Sequence, residues 1–103
     1  MEQRRTQRFQ LELPLSITRA GTDSVAVPGL TRNISSSGIL FVSATAPDIG
    51  SAIEYIIALN RDGPQPVNLR CVGKVVRFER NTADRTYQIA ATLERYEFIR
   101  LAS

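Results

Sequence analysis

Three arginines fall within five positions near the start of the chain: Arg4, Arg5 and Arg8. A compact polar set, Asn33-Ile34-Ser35-Ser36-Ser37-Gly38, follows downstream. A guanidinium is a planar fork of donors. It grips a phosphate through two parallel bonds, pairs with O6 and N7 of a guanine, or lies flat on a base. Asparagine and serine offer neutral donors and acceptors close to the backbone, and glycine gives the chain an unusual φ and leaves space beside it. Taken singly, the first group reads equally as a solvated basic end and the second as a hairpin connection. Together they are equipped to hold an anionic, planar molecule.

The rest of the composition narrows the chemistry. The 103 residues suit one domain. Thirteen basic residues stand against ten acidic ones, a net charge of +3, and Lys74 is the sole lysine. A genome that writes arginine codons freely gives the same bias, so the information lies in where the arginines sit. Cys71 is the only cysteine, which rules out an internal disulfide. There is no histidine, so the commonest general base and the commonest metal ligand are both missing. The carboxylates are scattered over turns and wet faces. No catalytic residue, no metal site and no cofactor are expected, and the protein is not expected to be an enzyme. No stretch is long and apolar enough to cross a membrane, and no apolar run follows the basic start, so a cytoplasmic protein without membrane insertion is expected.

Period-two alternation marks the elements that must carry the polar groups. Leu11, Leu13, Leu15 and Ile17 alternate with Glu12, Pro14 and Ser16 in a half-buried strand. Residues 24–32, around Pro28-Gly29, read as a bent or bulged strand. An apolar run, 39–42, follows the polar loop. Ile53, Tyr55, Ile57 and Leu59 share a face, as do Tyr87, Ile89, Ala91 and Leu93. Residues 67–78 give another strand, in which Gly73 marks a bulge or a close backbone approach. The tail, Glu94 to Ser103, reads as a short helix from its i, i+3 neighbours. Short strands joined by Gly, Pro and Asp turns indicate an all-β sandwich or barrel.

Arg4-x-x-x-Arg8 followed by Asn33-x-Ser35-x-x-Gly38 resembles the two-part signature of PilZ domains. In that family an RxxxR segment precedes the first strand and a (D/N)xSxxG segment lies between early strands. Residues 73–78 and 87–98 are also similar to the family's later strands. The resemblance implies a six-stranded antiparallel β-barrel with a short C-terminal helix, residues 10–103, preceded by a flexible arginine-rich arm, residues 1–9. It further implies a bacterial receptor for the second messenger cyclic di-GMP, which relays the signal to a separate effector protein. By the same analogy Arg4 and Arg8 are the principal clamps and Arg5 is an extra donor. Asn33 accepts from a guanine, Ser35 reaches base or phosphate, and Gly38 leaves room for the ligand. Gln3 precedes the first motif arginine where a basic residue accompanies a paired ligand, and this favours one ligand per site. Arg77 reads as a solvated edge residue that could approach the site.

Two alternatives stay open at this level. One is a PilZ-like protein-interaction module that no longer binds nucleotide. The other is a small barrel for single-stranded nucleic acid, for which exposed aromatics are few: the four Phe and three Tyr fall mostly at core-facing positions. No nucleic-acid partner is expected.

Overall fold

The computed structural model describes residues 12–59 and 67–100. They form seven strands: β1 (Pro14–Ala20), β2 (Asp23–Ile34), β3 (Gly38–Ser43), β4 (Ala52–Ala58), β5 (Val67–Asn81), β6 (Thr86–Thr92) and β7 (Arg95–Arg100). All pairings are antiparallel. Neighbours run β4-β1-β2-β3-β6-β5, and β4 pairs back onto β5, so six strands close a barrel without an open edge. The segment 1–9, expected to be an arm, lies outside the described residues.

The alternating faces fill the barrel. Leu15 and Ile17, Ile39 and Phe41, Ile53, Tyr55 and Ile57, Cys71 and Val75, and Ile89 and Ala91 make one buried cluster. Leu13, Leu59, Tyr87 and Leu93 pack against it. Pro14, which has no N–H to give a ladder, is the first residue of its strand.

Among the described residues the C-terminal helix expected from the sequence is not found. Residues 95–100 are strand β7, paired with the first half of β5 from Val72↔Arg95 to Val67↔Arg100. The cause is the length of β5. Its second half pairs with β6 and its first half with β4 on one side, which leaves the other side of Val67–Val72 unpaired. The chain leaving β6 continues straight along that vacant edge. Six residues of helix have too little internal hydrogen bonding to compete with a ready-made ladder.

The passage from β6 to β7 is built around Gly73, as a close backbone approach. A side chain at Gly73 would run into the backbone carbonyl of Thr92. The Tyr55 hydroxyl donates to that same carbonyl at 3.1 Å, and Lys74 N–H donates to Thr92 Oγ1 at 2.8 Å. Tyr55 is fully buried, and burial pushes its hydroxyl far above the ordinary phenol range, with Cys71 and Glu94 adding to the shift. Burial also pushes the Cys71 thiol from 9.0 up to about 12. Both groups therefore stay protonated in the fold. Above about pH 9 the unfolded chain sheds protons that the folded chain retains, so stability must fall as pH rises from about 9 toward 12. Tyr55→Phe leaves the Thr92 carbonyl without its buried donor and is expected to cost about 1–3 kcal/mol in urea denaturation at neutral pH.

Candidate functional site

The polar loop sits where β2 turns into β3, and it is tied by its own serine. Ser37 N–H and Gly38 N–H donate to Ser35 Oγ at 3.4 and 3.2 Å, and the Ser35 hydroxyl donates to Gly38 O at 3.3 Å. Ser35 N–H closes the turn on the same carbonyl at 2.9 Å. One hydroxyl has one proton and two lone pairs, so the capacity of Ser35 is used within the loop. Gly38 does not take a left-handed φ, unlike Gly21 and Gly50. Its glycine identity reflects proximity instead: a Cβ there would lie 3.2 Å from the carbonyl of Ala91 on the adjoining strand.

Two β-bulges turn the key side chains outward. Thr31 is buried and pairs with Phe41, so plain alternation would also point residue 33 inward. The register slips between Thr31 and Asn33, with Arg32 as the extra residue, and Asn33 pairs with Leu40 on the outer face. On β5 the slip falls between Val75 and Arg77. Val75 stays in the core and Arg77, opposite Ala90, faces out. Leu40 also pairs with Ala90. Asn33, Leu40, Ala90 and Arg77 thus form one row across four strands, a polar group at each end and a small apolar floor between them. Beneath it Ile34, Ile39, Ala91 and Val75 form the matching inner row.

This row and the loop line an open cleft of about 230 Å³. Among the described residues the Asn33 carboxamide makes no hydrogen bond, and Asn33 lines the cleft with a side chain that can both donate and accept. The Arg77 side chain is 62% exposed and its guanidinium pairs with Glu79 at 3.3 Å, a surface pair of small worth. Two larger clefts lie elsewhere. That of about 400 Å³ has Glu54 and Glu97 beside Arg70 and Arg95, and that of about 290 Å³ has Glu79 and Asp84 beside Arg32 and Arg80. In both, carboxylates oppose an anion. Among the described residues the cleft beside Asn33 has a cation and no carboxylate in its lining, so electrostatics favours it despite its size.

Arg4, Arg5 and Arg8 lie outside the described residues, but the point where their segment joins the barrel is well fixed. Leu13 N–H donates to Thr31 Oγ1 at 2.8 Å, and Thr31 N–H donates to Leu13 O at 2.9 Å. Glu12 pairs with Arg32 at 3.4 Å. The chain therefore enters beside Thr31, two positions from Asn33. Five residues of chain reach at most about 17 Å, which sets the radius available to Arg8 from Leu13. Of the expected site residues, Asn33, Ser35 and Gly38 meet at one cleft. Arg77 joins them through a bulge that has no sequence signature. No cluster of metal-ligating side chains occurs among the described residues, and no helix there is long and apolar enough to cross a membrane.

The family model described as PilZ domain matches residues 2–99. A solved structure of the Bacillus subtilis inhibitor of motility (MotI/DgrA) superposes with a TM-score of 0.72 at 18% identity, covering 94% of this chain and 45% of that one. The chain thus spans under half of that protein's length, and the likeness is one of fold. No curated protein matches the chain.

Proposed function

Since the chain belongs to the PilZ domain family, whose members are non-enzymatic cyclic di-GMP receptors and adaptors, we propose that it binds cyclic di-GMP between residues 4–8 and the Asn33–Arg77 row. In this reading Arg4 and Arg8 grip phosphate or guanine, and Arg5 supplements them. Asn33 bonds a guanine edge, Arg77 closes the far end, and Ser35 and Gly38 hold the loop in shape. The bound complex then presents a changed surface to a separate effector protein. The observation that carries the proposal is the pair of bulges, which bring Asn33 and Arg77 to the two ends of one outward row over the Leu40 and Ala90 floor.

A hydrogen bond to a charged group nets about 1.5–3 kcal/mol, so three or four, less the cost of ordering the segment, reach the roughly 8 kcal/mol of a micromolar complex. Titration calorimetry tests this, with saturable micromolar binding expected and no heat at tens of micromolar ligand refuting it. Arg77→Ala is expected to weaken binding about tenfold with an unchanged melting temperature, because its side chain is exposed. Glu79→Gln releases Arg77 from its competitor and is expected to tighten binding about two- to threefold at low salt.

A further inference from the structure

The connection from β3 to β4 ends in a turn, residues 48–51, that holds a large apolar side chain at its tip. Asp48 O accepts from the Ser51 N–H at 3.1 Å and from the Ser51 hydroxyl at 2.6 Å. Gly50 takes the left-handed φ, 87°, that the third position of such a turn requires. The turn is tied in its turn to β5: Gly50 N–H donates to Val75 O at 2.8 Å, and Val75 N–H donates to Ser51 O at 3.1 Å. Turns favour Gly, Pro, Asn, Asp and Ser because those residues serve the backbone there. Isoleucine serves no such end, yet Ile49 fills the second position and is 61% exposed. The bond from Gly50 to Val75 sets this tip beside Val76, the extra residue of the β5 bulge, which is 52% exposed.

We infer that Ile49 and Val76 anchor a docking surface for a separate protein that brings an apolar socket with an acidic rim. The four hydrogen bonds of the turn fix the backbone under Ile49 before any partner arrives. A preorganised apolar anchor gives up little freedom on binding. Two aliphatic side chains at a turn tip and a bulge project from the surface, so what covers them is concave. A second copy of this chain is poorly equipped for that. The three clefts described above carry charged side chains in their linings: Glu54, Arg70, Arg95 and Glu97 in the largest, Arg32, Glu79, Arg80 and Asp84 in the next, and Arg77 in the smallest. The rim follows from charge. Lys74 is exposed on the same outer face of β5, one alternation before Val76, and among the described residues it makes no ion pair. Arg77 follows Val76 and also faces out. Across residues 48–51 and 74–77 these two cations stand against one carboxylate, Asp48, which places the acidic part of the rim over β5. A protein seated there abuts Arg77 and so the end of the nucleotide row. That adjacency rests on the binding role proposed above; the docking surface does not.

Site-specific photocrosslinking in the cells that make the protein is the test. A benzophenone side chain at Ala52, which is exposed opposite Lys74, is expected to form one adduct with another protein. The same group at Ala26, exposed on β2, is expected to form none of that mass. Ile49→Ser together with Val76→Ser is expected to cut the Ala52 adduct by about tenfold or more, the loss typical of removing an interface anchor. Both side chains are exposed, so the melting temperature of that variant stays at the parent's value, as does its affinity for cyclic di-GMP by calorimetry. Lys74→Glu is expected to cut the adduct as well, by about threefold or more, through repulsion of the acidic rim. An Ala52 adduct that survives the double substitution overturns the inference, and so do the same adduct from Ala26 and the absence of any adduct. An adduct joining two copies also overturns it and gives the surface to self-association. A parent protein that gives no heat with cyclic di-GMP refutes the nucleotide site alone, so the two readings fail by different measurements.

Discussion

Replacing Arg4 and Arg8 together by alanine is expected to abolish measurable cyclic di-GMP binding, a loss of more than about a hundredfold, with the barrel's melting temperature unchanged. Each guanidinium makes charge-assisted bonds that net about 1.5–3 kcal/mol, so losing both removes at least about 3 kcal/mol. That is more than a hundredfold in affinity. The barrel is expected to stand without them because, among the described residues, the buried cluster is built from the strands between Leu15 and Ala91. Calorimetry gives the affinity and thermal denaturation gives the control. A double variant that still binds within about threefold of the parent would remove the arginines from the account.

The second large effect is structural. Gly73→Ala is expected to destabilise the fold by about 3 kcal/mol or more, the upper end for overpacking, because the new methyl meets backbone instead of a side chain that could rotate away. For a domain of this size that lowers the melting temperature by about 12 °C or more. The damage should also reach the cleft. Thr92, which must move, lies opposite Gly38, and its neighbour Leu93 bonds to Ser37. Ligand affinity is therefore expected to fall in Gly73→Ala even under conditions where the protein remains folded. Tyr55→Phe, which acts on the same carbonyl without crowding it, is expected to reduce stability and leave affinity closer to the parent's.

What the sequence makes legible follows the range of the physics involved. Strand faces are local, so the burial of Ile53, Tyr55 and Ile57, and of Ile89 and Ala91, is readable from alternation alone. The close approach at Gly73 is readable because a glycine inside an apolar strand has few other uses. The tail is different. Residues 95–100 alternate about as well as they repeat at helical spacing, and the vacant edge of β5 that decides the matter is a tertiary fact. The bulges are illegible for the same reason. Thr31 and Asn33 share parity, as do Val75 and Arg77, and nothing in the residue types announces that one of each pair turns out. Sequence therefore points to Asn33 and reads Arg77 as an edge residue that could approach it, while the row that joins the two is set by the register slips. Gly38 reads in sequence as a residue for a tight turn and for room beside a ligand; the structure gives it no left-handed φ and sets it close to the Ala91 carbonyl.

The central claim is that the outward row ending in Asn33 and Arg77 is where the nucleotide rests. An amide NMR spectrum titrated with cyclic di-GMP addresses it directly. The account predicts that the largest shifts fall on Asn33, Ser37, Gly38, Ala90 and Arg77, together with residues 4–8. Shifts confined to the face around Glu54, Arg70 and Glu97, or a spectrum unchanged at saturating ligand, would contradict it.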